Sequence, residues 1–367
     1  MVVEDLILNF TRGVGSRTIV HLLDLYGSAE RVFAASKDEL VEHAELRPDI
    51  AERILRKEAM DVACREIEYC SKHRIYMIAA TDDEYPLPLR EIGDRPHVLF
   101  VRGNVAALSQ RLLSMVGTRD MSPSGNAVCN RIVQQLGQSV DQLCIVSGLA
   151  YGVDAACHRA ALTYGVNTVA VIASSLPSVT PTAHTALAND IVEHGGAIIS
   201  ELSSQSPQNG SHFLARNRII AGLSMGTLVV ESPATGGSLA TANMADGYGR
   251  MVMAIPGRIT DASSFGTNNL IRSGKARLVL TASDIIDDMG WGSSVDSVDE
   301  VVVDDRIAAL NPDERLIYDA ISQSVTITIA EILDKTNLSM GTFAMAVMTL
   351  ELQGLVRKLP GQRYEKI

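Results

Sequence analysis

The spacing of apolar and polar positions changes twice along this chain, and each change marks an architectural boundary. Over residues 5–56, apolar residues recur at helical intervals in LILNF, TIVHLLDLYG and SAERVFAAS, which predicts short helices. A longer helix is expected over Asp49–His73, followed by a strand at Tyr76–Ala79. Next comes TDDEYPLPLREIGDRPHVLFVRGN, punctuated by Pro86, Pro88 and Pro96, with VLFV as a further strand. From about Leu108, short apolar runs alternate with helical segments. Strands are expected at Leu112–Val116, Leu143–Ser147, Thr168–Ala173, Ala197–Ser200, Thr227–Val230, Met251–Ile255 and Arg277–Leu280. Helices fall between them, near Ser124–Gly137, Asp154–Thr163, Ala183–His194, Phe213–Leu223, Ser238–Tyr248 and Thr267–Gly274. That alternation predicts an α/β domain on a parallel sheet, and seven strands make it an enlarged Rossmann-like one.

Residues 291–305, WGSSVDSVDEVVVDD, read as a Ser-rich acidic linker. Beyond it, helices are expected at Asp313–Ser322, Ile329–Thr336 and Ser339–Gly354, then strands at Leu355–Leu359 and Arg363–Ile367 around a Pro-Gly turn. Three helices closed by a hairpin give a winged-helix pattern. The expected domains are thus a helical one over 1–75, an extended Rossmann domain over 76–290, a linker over 291–305 and a winged-helix-like domain over 306–367.

Composition narrows the setting. The 367 residues hold no run of roughly 18 uninterrupted apolar residues, so no membrane span is expected. The opening MVVEDLILNF is acidic where a signal peptide is basic, and a cytoplasmic protein is expected. The five cysteines are scattered without CxxC or Cys/His ligand spacing, which favours small buried hydrophobes over disulfides or a metal.

The net charge of −11 is unevenly placed. Residues 1–100 hold 13 Lys+Arg against 19 Asp+Glu, residues 101–290 hold 12 against 12, and residues 291–367 hold 7 against 12. In the neutral middle, every cation but Lys275 is Arg. Arg suits forked phosphate contacts, although it is equally read as the chain's preferred cation. The acidic balance of the C-terminal domain favours a protein contact there over duplex binding.

Candidate chemistry gathers at the predicted strand ends, where an open parallel sheet places its ligands. Val116-Gly117-Thr118-Arg119 ends the first strand, with Gly117 giving access to the backbone and Arg119 projecting as a ligand group or a surface ion pair. Ser147-Gly148, leading through Tyr151-Gly152 to Asp154, is an expected anion nest. Asp154 is expected to cap the next helix with His158 as its structural partner, rather than to form an acid–base dyad. The stretch FLARNRIIAGLSMGTLVVESPATGGSLATANMA brings Phe213 for base stacking and Arg216, Asn217 and Arg218 on a helix. Of Arg216 and Arg218, which point in different directions, one at most is expected to reach a phosphate. The strand then ends at Glu231, and Gly236-Gly237-Ser238 begins a helix as a phosphate cradle. It lacks G-K-[ST] and a Mg²⁺-holding acid, so ATP hydrolysis is not expected. Pro256-Gly257-Arg258 and Ser264–Asn269 are expected as loops on the same edge. Gly13-Val14-Gly15, with Thr18 opening the next helix, is either a DNA-phosphate hairpin or a tight helix turn.

Taken together, EYPLPLREIGDRPHVLFVRGN, VGTR, SGLAYGVDAACHRAAL, FLARNRIIAGLS, VVESPATGGSLATA, VMAIPG and SFGTNNLIRSGKA resemble, in order, the DprA/Smf family of bacterial natural transformation. The resemblance spans nearly the whole chain. It implies a SAM-like helical domain, an extended Rossmann domain and a winged-helix-like domain. It further implies single-stranded DNA binding as a homodimer, contact with the RecA recombinase and its loading onto incoming strands, with no enzymatic activity and no cofactor. By motif, Arg119 and Phe213 are implied in a DNA pocket beside Ser147–Gly148 and Gly236–Ser238. Two departures stand out. The basic residues usual before Phe213 are replaced by Gln208-Asn209-Gly210-Ser211-His212, with Leu214 where the family has Pro. The usual G-x-D-x-x-Y-P is reduced to Ser174-Ser175-Leu176-Pro177 with Thr180-Pro181. A second resemblance, to the nucleotide-binding fold of phosphoribohydrolases, offers an enzymatic alternative. That motif's Glu has no counterpart in SPATGGSLATA. For the dimer, the apolar RLVLTASDII reads equally as an exposed sheet edge or as core.

Overall fold

The computed structural model describes residues 3–207, 209–292, 310–322, 326–359 and 363–366. Gln208 and most of the expected linker, from residue 293 onward, lie outside the described residues. The chain divides into two compact units, Met1–Gly292 and Ser293–Ile367.

Six helices open the first unit: α1 (Val3–Phe10), α2 (Ser16–Tyr26), α3 (Ala29–Ala34), α4 (Lys37–Glu42), α5 (Pro48–Leu55) and α6 (Met60–His73). The single helix expected over Asp49–His73 is therefore two. It breaks at Lys57, which adopts the left-handed conformation (φ 49°). The cause lies in what each half buries. Ile50, Ala51 and Ile54 of α5 join the core of the helical bundle, whereas Ala63 and Cys70 of α6 pack on the layer beside the sheet. One straight helix cannot aim its apolar stripe at both. The turn before α2 starts its helix at Ser16, two residues ahead of Thr18.

The sheet that follows has nine strands, not seven: β1 (Tyr76–Ala79), β2 (Val98–Gly103), β3 (Arg111–Val116), β4 (Leu143–Ser147), β5 (Asn167–Val171), β6 (Ala197–Ser200), β7 (Gly226–Val229), β8 (Met251–Ala254) and β9 (Arg277–Leu278). Their order is β1-β2-β6-β5-β4-β3-β7-β8-β9. β3 to β9 are parallel, and β1 and β2 extend the sheet antiparallel beyond β6. Helices α7 (Leu87–Arg90), α8 (Pro123–Ser139), α9 (Val153–Thr163), α10 (Thr185–Glu193), α11 (Ser211–Leu223), α12 (Gly237–Gly247), α13 (Phe265–Arg272) and α14 (Ala282–Asp288) cover both faces. Along β3, Leu112 and Val116 join the core on one face, and Leu113 and Met115 join that on the other. This two-sided burial explains why the strands read as continuous apolar runs. At β9, Leu278 is exposed and Val279 is fully buried, so the segment is both an edge and part of the core.

The chain winds outward from β3 in both directions, through β4 to β6 on one side and β7 to β9 on the other. This reversal opens a crevice at the carboxyl ends of β3 and β7. Across it, Val230 N donates to Val116 O at 3.0 Å and Thr118 N donates to Glu231 O at 2.8 Å.

The second unit contains the expected helices, Pro312–Ser322, Ile329–Thr336 and Met340–Leu352, and a hairpin of Val356–Leu359 with Arg363–Lys366. A third, two-residue strand, Ile327–Thr328, pairs with Tyr364 and Arg363. Its length gives no alternation to read, which is why the sequence concealed it.

Candidate nucleic-acid interface

The crevice at β3 and β7 holds a concavity of about 500 Å³. Gly117, Thr118 and Arg119 enter it from the end of β3, and Phe213, Arg216 and Asn217 from α11. Gly236, Gly237 and Ser238 enter from the start of α12. Thus nine of the twelve expected site residues share one cavity. The Arg119 guanidinium carbon lies 5.7 Å from the centre of the Phe213 ring, a cation–π arrangement that also places the cation beside a stacking surface.

Helix α12 has Gly236 as its N-cap residue and no side-chain cap, so its first amides lack an intrahelical partner, and Gly236, Gly237 and Ser238 line the cavity there. Side chains in the cavity wall brace this turn. Ser238 Oγ donates to Ser232 Oγ at 2.9 Å, Thr241 Oγ1 to Gly237 O at 3.1 Å and Asn217 Nδ2 to Gly237 O at 3.4 Å. Thr241, four residues after Gly237, lines the cavity as well and was not singled out from the sequence.

Three expected site residues take other places. Ser147 is fully buried and donates from Oγ to Met115 O at 2.6 Å. Gly148 forms the expected nest with Ala150, but the chain fills that nest itself. Asp154 Oδ2 accepts from Ala150 N at 3.4 Å, and it stands 2.6 Å from where a Cβ on Gly148 would lie. Arg218 pairs with Glu201 and does not line the cavity. Gly117 also serves differently from expectation. A Cβ there would meet Val153 Cγ2 at 2.5 Å and Glu231 O at 2.8 Å, so the missing side chain lets elements pack closely.

Neither Asp154 nor His158 keeps its expected role. The start of α9 has no side-chain cap, and His158 Nδ1 bonds Thr168 Oγ1 at 2.7 Å rather than Asp154. The electrostatic neighbour of Asp154 is Arg216, 62 positions away, a pairing with no sequence signal. Burial pushes the Asp154 carboxyl up, against the pull of Arg216. Burial likewise pulls the Arg216 guanidinium down, while Asp154 raises it. His158 is pulled to about 3, mainly by burial, with His184 and Arg216 adding to the effect.

The Pro256–Arg258 loop and Ser264 occupy the same edge but bound a separate concavity of about 540 Å³, together with Ser122 and Glu231. The Glu231 carboxylate accepts from Ser122 N at 2.9 Å and from Ser122 Oγ at 2.5 Å. It therefore fastens the start of α8 to the end of β7. Among the described residues no His/Cys/Asp/Glu group could hold a metal ion, and no helix is long and apolar enough to cross a membrane.

Comparison with known proteins places this geometry. The family model for DNA recombination-mediator protein A matches residues 76–290, and that for the DprA winged helix domain matches residues 304–362. DNA processing protein DprA of Streptococcus pneumoniae is 41% identical over 205 residues, 56% of this chain and 71% of the relative. Its X-ray structure superposes with a TM-score of 0.69 at 31% identity, covering 78% of this chain and 98% of that one. A structure of DNA processing protein A from Helicobacter pylori, reported for that protein's single-stranded DNA binding mode, shares the fold. Its TM-score is 0.53 at 24% identity, over 60% of this chain and 97% of that one. With the motifs in order, both domain models matched and the sheet superposed, the chain belongs to the DNA recombination-mediator protein A family, the DprA/Smf family.

Proposed function

We propose that this protein binds single-stranded DNA in the β3–β7 cavity, protects incoming strands and delivers them to the RecA recombinase during natural transformation. The observation that carries the reading is the convergence of Arg119, Phe213 and the open start of α12 on one cavity. A ring for a base, a guanidinium for a phosphate and free helix amides for a second anionic oxygen are what an unpaired nucleotide requires. The pneumococcal relative's name, DNA processing protein, supports it, as does the single-stranded DNA binding reported for the Helicobacter protein. In this reading Gly117, Thr118, Arg119, Phe213, Arg216, Asn217, Gly236, Gly237 and Ser238 face the strand. Ser147, Gly148 and Arg218 hold that surface from behind. A homodimer, RecA contact and a cytoplasmic setting complete the proposal by family analogy.

No catalytic step is assigned. The Glu231 carboxylate, nearest in sequence to the glycine turn, already accepts hydrogen bonds from Ser122. Release of free base from an AMP-like nucleotide by the purified protein would favour the hydrolase reading instead. The direct test is fluorescence anisotropy of labelled oligo-dT with wild-type protein, Arg119→Ala and Phe213→Ala. Each variant should lose about 1–3 kcal/mol of binding while keeping its melting temperature. Unchanged affinity in both would remove the cavity from the mechanism.

A further inference from the structure

A carboxylate in the floor of a cavity meant for phosphates needs a reason. Asp154 lines the same cavity as Arg119 and Arg216 and is 8% exposed. Left to itself it repels the polyanion that the site is proposed to hold. Its placement is built rather than incidental, because the Ala150 amide donates to its Oδ2 at 3.4 Å and the absence of a side chain at Gly148 leaves room for the carboxylate.

The other half of the arrangement is Arg216. It is 5% exposed, lines the cavity, donates from Nη1 to Val171 O and leaves its buried Nε without a hydrogen-bond partner. The two charges lie close together across Gly148. A Cβ on that glycine would stand 2.0 Å from Arg216 Nη1 and 2.6 Å from Asp154 Oδ2. An isolated guanidinium at this depth is costly without a counter-charge, and Asp154 is the carboxylate beside it. The next cation, Arg119, is exposed and only adds to the positive field at Arg216.

We propose that Asp154 is the resident counter-ion of Arg216, and that a strand phosphate takes over this role on binding. The carboxylate stabilises the empty cavity and weakens the filled one, so the strand is held firmly enough to capture and loosely enough to hand on. Asp154 is thus a residue that sets affinity, with a sign opposite to that of its neighbours. The proposal rests on the strand-binding reading above.

The test uses the full chain and labelled oligo-dT, measured by anisotropy over a range of salt concentrations. Melting temperatures are recorded with and without oligonucleotide. Asp154→Asn keeps the shape and Asp154→Ser removes bulk, and both remove the charge. Each should lower the melting temperature of the free protein yet bind oligo-dT about tenfold tighter. The salt dependence should steepen by about 0.7 in log–log slope, because one more phosphate charge is balanced by protein. Adding Arg216→Gln to Asp154→Asn should erase the gain. Folded variants that bind no tighter than wild type, or gain equally without Arg216, would overturn the proposal. Variants that stay unfolded even at saturating oligo-dT would also overturn it, since phosphate is claimed to replace the carboxylate. Wild-type protein with no affinity for oligo-dT would instead defeat the strand-binding reading itself, and this inference with it.

Discussion

At residue 158 burial settles the protonation state. His158 is fully buried against Thr168, and its pKa falls to about 3 in the folded chain against 6.5 in the reference state. The unfolded chain therefore takes up the proton first. His158's contribution is intact above pH 6.5 and is lost as pH falls from there toward 3. Between pH 7 and 5.5 the loss from this residue should be about 1 kcal/mol. Denaturant melts of wild type and His158→Gln across that range check it, and the variant should show the flatter profile. The same scale shows what residue identity can convey. From sequence, Arg119 stood open between a ligand group and a surface ion pair, and it is the structure that brings it to within 5.7 Å of the Phe213 ring in one cavity. Asp154 was misread as a cap because its partners, the Ala150 amide and Arg216, are set by the path of the backbone.

Among elements, α8 shows how a helix start is tied into the site. Ser122 is its N-cap, accepting from Gly125 N at 3.0 Å while donating to the buried Glu231 carboxylate. One hydroxyl thereby serves a helix terminus and the end of β7 together. Ser122→Ala should cost about 1–2 kcal/mol, a lost cap plus a weakened hydrogen bond to a buried charge. A lower denaturation midpoint at an unchanged m-value is the expected observation. The element pattern itself was largely readable, since strands buried on both faces and amphipathic helices leave distinct periods. Where it failed, at the Asp49–His73 helix and the two-residue strand Ile327–Thr328, neighbours decided. Lys57 breaks the helix because the two halves bury against different layers, and Ile327–Thr328 is a strand only because Tyr364 and Arg363 lie beside it.

For the whole molecule, a chain of net charge −11 is expected to bind DNA through one local cavity rather than a broad basic surface. Its affinity should therefore fall only gently with salt, by about 0.7 in log–log slope for each phosphate engaged. Every residue of the cavity lies between Val116 and Thr241, inside the first compact unit. A chain ending at Gly292 should keep the oligo-dT affinity and salt slope of the full chain, and a marked drop would assign part of the binding to residues beyond 292. The order of motifs, the alternation of strands and helices and the glycine turns at strand ends were all determined by the amino-acid sequence, because each is a local property of period, chirality or hydrogen-bonding capacity. Which turns stand open and which are already filled was decided only in three dimensions. The Ser147–Gly148 nest and the Gly236–Ser238 helix start look alike as sequence, yet one encloses Asp154 and the other faces the cavity. Asp154 on α9, 62 positions from Arg216 on α11, becomes its counter-charge only when the fold brings the two side chains together across Gly148.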